Sequence, residues 1–500
     1  MGTQTRVLLA TILSFAVILL WQLLTYKPQQ VQQVANLQQT EIQKIEPPSQ
    51  AQTNMQLTQK FEPYVVETET LKIVFNKQNA GIREVYVKED NQKDYTLLFS
   101  NEKENLAVNS NESFSVKELT TENNRKIIFS NKSTTVEYNF YKSQPYFIEV
   151  NIKNTTPQKV YLEFASYIHS DKFSVEPNNV NICKNVIVEN NKYTIVEKVN
   201  KLNLQKQTNI NWVAVNSKYF LAAIVFNNKD IPINLSIEKL NRNTKKLSIS
   251  SYEETKYFNY NLLFVPKKIS LLTSLGNKFV HTVDWGTFAF LSKLFYNILS
   301  YFYKIFKNYG IAIIGLTIII QIVTFPLTYN SIKSTIKIKK IQPQLQLLQK
   351  LYKDDPKRLN IEIMNLYREK KVNPFGGCLP LLLQIPIFWA LFTMLRNTYD
   401  LRGASFILWI KDLSQPDKLV IPGINLGIPV LVLLMGATMF IQQFASGAMN
   451  EPQQKTMAIM MPVIFTILFF NFPSGLVLYW LINNIFSILI QIVVNKTVTV

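Results

Sequence analysis

The residues equipped to do chemistry are few, and most of the interesting ones lie in apolar stretches. The 500 residues include two cysteines, Cys183 and Cys378, and two histidines, His169 and His281. Neither pair has the spacing of a metal site or a redox couple. No catalytic triad, glycine-rich phosphate loop or His/Asp/Glu/Cys constellation is present, so a membrane enzyme is the least favoured class and no metal site is expected. What recurs inside the apolar stretches is amide and hydroxyl: Thr317, Gln321, Thr324, Gln384, Asn471, Asn483, Asn484 and Gln491. An unpaired amide in hydrocarbon costs several kcal/mol. Such groups are either glue between helices or the lining of a wet cavity. Close-packed glue would favour Gly, Ala and Ser. The bulky aliphatics around these amides favour a cavity.

The elements that must hold these groups are membrane helices. Charge-free runs at about 310–328, 378–395, 424–444, 457–472 and 476–494 make five, and the uncharged segment up to residue 26 makes a sixth. Twenty apolar residues rising roughly 1.5 Å each reach about 30 Å, the thickness of the hydrocarbon core. Residues 1–26 read as an uncleaved anchor or as a signal peptide; the first is favoured because no Ala-x-Ala follows. Residues 27–60, with eleven glutamines and the pair Pro47-Pro48, form a linker that cannot build a core. Period-two alternation over 61–275, as in Leu71/Ile73/Phe75 and Ile148/Val150/Ile152, predicts an all-β sandwich. Over 284–308, Phe288, Leu291, Phe295, Ile298, Phe302 and Ile305 recur at helical spacing. Ser292, Lys293, Asn297, Ser300, Lys304 and Lys307 fall on the other side. That pattern fits an interfacial amphipathic helix or one packed on the β domain. The fold class is therefore a membrane α-helical bundle of six spans, five of them in a core at 310–495, joined to a β-sandwich.

The net charge of +19 bears on topology and anionic lipid, since no nucleic-acid readout motif accompanies it. The loop 331–373 carries eleven basic and four acidic side chains, a balance of +7, whereas 396–423 balances at +1. The positive-inside rule puts the first loop in the cytoplasm, hence both termini inside and the β domain outside. Within 331–373, Ile341, Leu345, Leu348 and Tyr352, then Leu359, Ile363, Leu366 and Tyr367, sketch two short helices broken at Asp354-Asp355-Pro356. The exposed basic side, with Lys339, Lys340, Arg358 and Arg368, is either a solvated topology signal or a docking surface.

Two motifs carry a resemblance. Asn373-Pro374-Phe375-Gly376-Gly377-Cys378-Leu379-Pro380 with Gln384-Ile385-Pro386-Ile387-Phe388, and Phe472-Pro473-Ser474-Gly475-Leu476-Val477-Leu478-Tyr479-Trp480, resemble the YidC/Oxa/Alb family of membrane-protein insertases. Gln453-Gln454-Lys455 and Met461-Pro462-Val463-Ile464-Phe465 add to the match. The likeness covers about 284–494 strongly; the anchor, linker and β domain match the family's Gram-negative members by layout only. The resemblance implies a protein that is not an enzyme and uses no cofactor, with a five-helix core around a polar groove open to cytoplasm and lipid. The groove residues would be Thr317, Gln321, Gln384, Tyr479, Trp480 and Asn483. Substrate would slide along Leu382, Phe388, Met461, Ile464 and Phe465. It implies as partners nascent membrane proteins, the Sec translocon, the ribosome, the signal recognition pathway and the lipid bilayer. Where the family usually has a groove arginine this chain has Gln321, so a polar but uncharged groove is expected.

Two other classes remain. A transporter or channel would carry a midplane polar site, but no internal repeat among the spans supports it. A structural chaperone of the envelope would act through the β domain.

Overall fold

The computed structural model describes residues 62–498, apart from 89–94, 106–112, 166–168, 172–173, 176–178, 189–190, 200–201, 229–230, 240–244, 374–375, 377–378, 421–426, 448 and 450–451. The anchor expected at 1–26 and the linker at 27–60 lie outside the described residues. The chain divides into two compact units, Met1–Pro266 and Lys267–Val500.

The first unit is built on a nine-stranded antiparallel sheet. Its strand order is 191–199, 179–188, 210–216, 220–226, 255–266, 147–158, 134–141, 124–130 and 115–120. Four-stranded sheets, 63–105 and one of strands 202–207, 233–239, 245–251 and 161–165, complete the β-sandwich. Alternation sets the faces: along Phe147–Gln158, Ile148, Val150 and Ile152 are buried while their neighbours are not. Ile210–Asn216 and Phe220–Phe226 are buried at every position, so the middle of the large sheet is covered on both faces. Phe75 packs on Phe129 and Tyr138 at 5.4 and 4.7 Å, and Tyr138 Oη donates to the Ala80 carbonyl at 2.8 Å, joining two sheets. The strands stop at Pro266, short of the expected 275, because Ile269–Ser274 is a helix, α1, and belongs to the second unit.

The second unit continues with α2 (Ala289–Phe306), α3 (Tyr309–Lys340), α4 (Gln342–Leu351), α5 (Pro356–Glu369), α6 (Leu379–Asn397), α7 (Val430–Ser446), α8 (Pro452–Phe469) and α9 (Ser474–Val498). Two helices, Tyr309–Lys340 and Ser474–Thr497, are long and apolar enough to cross a membrane; Val430–Ser446 and Lys455–Phe469 are shorter apolar helices. The bundle is apolar outside as well as inside: Val323 is 73% exposed and Phe444 67%, as a lipid-facing surface requires. Leu316, Leu391, Met435 and Leu476 form its buried centre.

Three sequence expectations change. Ser292, assigned to the polar side of α2, is fully buried and donates to the Ala390 carbonyl at 3.0 Å. The buried stripe is Ser292, Phe295 and Leu299, while Phe290 and Ile305 point outward. A hydroxyl that returns its proton to a neighbouring backbone can be buried, so polarity alone misplaced the face. Next, α3 does not end near 328. Pro326 lies inside the helix without ending it, and no Gly or Pro follows until Pro343, so the helix outruns its apolar stretch and takes in Lys333, Lys337, Lys339 and Lys340. Those lysines were expected in the 331–373 hairpin, which is in fact α4 and α5 closed over Ile341, Leu345 and Val372. Finally, α7 starts at Val430 rather than 424, because Gly427–Ile428 pairs with Leu419–Val420 as a short ribbon and Pro429 precedes the first turn.

At that end the loop 398–418 is packed into the bundle: Leu401 and Leu413 are fully buried. It is bonded to the start of α9, Ser474 N to the Gln415 carbonyl at 2.8 Å and Gly475 N to the Leu413 carbonyl at 2.9 Å. Pro429 offers α7 no side-chain cap. Asp417, buried in this loop, accepts instead from Leu431 N and from Trp409 Nε1, the latter at 2.7 Å. Asp417→Ala leaves the buried Leu431 N–H and the half-buried Trp409 Nε1–H unpaired and should lower stability by roughly 2 kcal/mol, with Trp409→Phe costing less. Thermal unfolding in detergent measures both.

Tyr296 Oη on α2 donates to Asp400 at 3.0 Å. Burial pushes the Asp400 carboxyl above the usual carboxylate range, and the Tyr296 hydrogen bond only partly offsets it. The folded protein thus keeps this proton to higher pH than the unfolded chain. The stabilisation is present at low pH and declines as pH rises through the raised value. The thermal midpoint of Asp400→Asn should show a flatter pH dependence there than that of the unaltered chain.

Candidate functional site

The chain directions place α3, α7 and α9 with their last turns, and α6 and α8 with their first turns, at the end of the bundle that bears the α4–α5 hairpin. In this half lies a cavity of about 160 Å³. It is lined by Gln321, Thr324, Leu327, Thr328 and Ile332 of α3, Pro380, Leu383 and Gln384 of α6, Gln442 of α7, and Asn483, Ser487 and Gln491 of α9. The α9 residues recur every four positions, and those of α3 at three, four and seven, so each helix offers one polar stripe. At a share of roughly 30 Å³ per water, the space has room for about five waters.

Among the described residues no charged side chain lines it. Gln321 Nε2 donates to Asn483 Oδ1, tying α3 to α9. Gln384 Nε2 donates to Tyr479 Oη at 2.7 Å, tying α6 to α9. Gln491 Nε2 donates to Asn495 Oδ1 at 2.8 Å. Each amide keeps further donor or acceptor capacity for water. On α3, Thr324 and Thr328 return their hydroxyl protons to carbonyls one turn back, at 2.8 and 3.1 Å. Their oxygens remain as acceptors toward the cavity.

Three of the six expected groove residues, Gln321, Gln384 and Asn483, come together here. The other three do not line it. Thr317 is fully buried and bonded to the Ile313 carbonyl at 2.7 Å. Tyr479 is also fully buried and meets the cavity only through Gln384. Trp480 stands among aromatics, 5.4 Å from Phe388, 5.4 Å from Phe465 and 5.2 Å from Phe469. Its bulk knits α6, α8 and α9 together. Asn484 is helix glue: buried, it donates to Thr438 Oγ1 of α7 at 3.2 Å. Asn471 is exposed in the turn after α8.

Gln442, Thr328 and Ser487 were missed. Ser487 sits one turn from both Asn483 and Gln491, a spacing that could have found it. Of the sliding surface, Leu382 is 59% exposed and Met461 and Ile464 are half-buried, whereas Phe388 and Phe465 pack on Trp480. Of the basic residues, Arg358 and Arg368 are exposed on α5, with Arg358 over the Tyr352 ring at 5.2 Å. Lys339 and Lys340 lie in the last turn of α3, and Lys339 Nζ donates to the Ser446 carbonyl.

Comparison with known proteins gives this architecture a family. The family described as "60Kd inner membrane protein" matches residues 301–499, and "YidC periplasmic domain" matches residues 81–298. The chain is 37% identical over 455 residues to a protein of Endomicrobium trichonymphae named membrane protein insertase YidC, covering 87% of this chain and 86% of that one. A protein of the same name from Geotalea uraniireducens is 31% identical over 543 residues, covering 99% of each. A crystal structure titled as an active YidC insertase aligns over 86% of this chain and 92% of its own, at 19% identity and a TM-score of 0.40, too loose a likeness to argue from. The β-sandwich is a periplasmic domain and the helical unit is that of an inner-membrane protein. The chain belongs to the YidC family of membrane protein insertases.

Proposed function

We propose that this chain inserts proteins into the inner membrane and helps them fold, using the polar cavity as the site that receives the hydrophilic segment of a substrate. The observation that carries the reading is a water-sized, uncharged, amide-lined cavity inside a bundle whose outer surface is apolar. Moving a polar segment across hydrocarbon is opposed by its desolvation. A wet cavity in one half of the bundle shortens the dry distance and offers amide partners on the way, so neither ATP nor a cofactor is needed. The apolar flank of the substrate would meet lipid and the outward residues of α6 and α8, Leu382 and Met461 among them.

In the topology we infer, six helices span the membrane, five of them in the core, with both termini and the α4–α5 hairpin in the cytoplasm. The basic balance of 331–373 supports it, as does the cavity's place at the hairpin end. The packed loop 398–418 then closes the periplasmic end. The protein acts alone or with the Sec translocon, and the hairpin's exposed arginines are available to a ribosome, the signal recognition pathway or lipid headgroups.

Depletion of the protein should block insertion of single-span proteins with short periplasmic tails; normal insertion without it refutes the proposal. Gln321→Leu removes the α3–α9 amide bond and one wall of the cavity, and should reduce insertion several-fold in reconstituted vesicles. Wetness has a separate readout. In a background with Cys183 and Cys378 replaced by serine, Ser487→Cys should react with a water-soluble maleimide, because only a hydrated thiol ionises. Thr317→Cys, fully buried one turn away from Gln321, should stay protected.

A further inference from the structure

The loop 398–418 packs into the bundle, but at one place it turns apolar side chains outward. Phe406 N donates to the Ile410 carbonyl at 3.0 Å and Ile410 N to the Ile407 carbonyl at 3.1 Å. These bonds close a tight turn with Ile407, Leu408 and Trp409 at its tip. Leu408, the second residue of the turn, has φ +53°. Turns with a positive φ at that position favour Gly, Asn or Asp, which tolerate the left-handed region and suit water. This chain places a leucine there and leaves it 81% exposed, with Ile407 beside it 52% exposed. In water that choice costs twice, in backbone strain and in apolar exposure.

The base of the turn is firmly held. The Phe406 ring lies over Gly310 at the start of α3, so close that a Cβ there would overlap it. Asn308 Nδ2 donates to the Phe406 carbonyl at 3.2 Å, and Trp409 Nε1 to Asp417. Ile410 is buried. Charge surrounds the tip: Lys411 follows the turn and Lys307 precedes Asn308, and both are exposed. On α2, Phe290, Leu294, Tyr301 and Ile305 form one outward stripe that runs toward this corner.

We propose that Ile407 and Leu408 form a lipid-inserting tip. Their side chains enter the boundary between headgroups and acyl chains of the periplasmic leaflet and hold that end of the bundle at this level. The choice of leaflet rests on the topology inferred above. The depth follows from the backbone. A turn leaves N–H and C=O groups without protein partners, which the hydrocarbon core does not tolerate. The main chain therefore stays among the headgroups, and the two side chains reach past it. Trp is a residue type of that level, and exposed lysines meet phosphates there. Charge also decides against a second copy of this chain as the cover. An isologous contact at this corner would set the same lysines against each other.

The test uses the unaltered full-length protein in phospholipid vesicles containing a lipid with a diazirine on the acyl carbons next to the glycerol. Trypsin releases the tip as the peptide Gly403–Lys411. After illumination, adducts should fall on Ile407 or Leu408. A lipid with the diazirine at the chain end should mark the exposed Ile322 and Val323 of α3, as a control. Leu408→Asn suits the turn and should lower the tip adduct several-fold, whereas Leu408→Met should keep it. A tip without adducts while the control carries them overturns the proposal. So does a tip adduct unchanged in Leu408→Asn, or one that appears only when the protein is diluted in lipid, which assigns the tip to a second copy. The side of the membrane is read separately. With Cys183 and Cys378 replaced by serine, Ser405→Cys, exposed beside the turn, should react with an impermeant maleimide added to spheroplasts. Tip adducts without that reaction would refute the topology and leave the lipid contact standing.

Discussion

Every amide carried into hydrocarbon must find a partner, and that constraint organises the helical unit. The bundle meets it in two ways. Thr317 and Asn484 are satisfied by backbone or by a neighbouring helix and are lost from view in the core. Gln321, Gln384, Asn483 and Gln491 are satisfied in pairs that leave capacity over, and they surround space instead of filling it. The same residue types give adhesion in one place and a solvent pocket in the other. The difference lies in whether apolar side chains can close over them. Near Leu316 and Met435 they do; between Leu327, Ile332 and Leu383 they stop short.

The rest of the unit holds that gap open. The aromatic group around Trp480 fixes α6, α8 and α9 relative to one another with rings too large to shift independently. The hydroxyl of Ser292 anchors α2 to α6. The outer loop, with Asp417 as a remote cap, starts α7 where its own sequence supplies none. A cavity in a bundle would otherwise collapse to regain contact, since a void forfeits dispersion energy on every wall.

How far the sequence foretold this depended on the kind of signal. Periodicity carried the β-sandwich, because inward and outward positions alternate strictly along strands such as Phe147–Gln158. Hydropathy located the apolar segments but placed their ends poorly, since the backbone of a helix does not stop where its apolar side chains do. Hence the twelve-residue extension of α3 into lysines and the late start of α7 behind Pro429. Half of the expected groove residues reached the cavity, because an amide's role is set by its neighbour across the interface, which one-dimensional spacing does not contain. Tyr479 and Trp480 lie in a motif that names the family; here both pack, and Tyr479 also accepts from Gln384.

The backbone bonds that join the loop 398–418 to Ser474 and Gly475 at the start of α9 have a mechanical corollary. They make one end of the bundle a pivot, braced by main-chain groups. At the other end the ties are single side-chain bonds. A device clamped at one end and lightly fastened at the other opens like tongs. Rotations about such a pivot are smallest beside the loop and largest at the end that bears the α4–α5 hairpin.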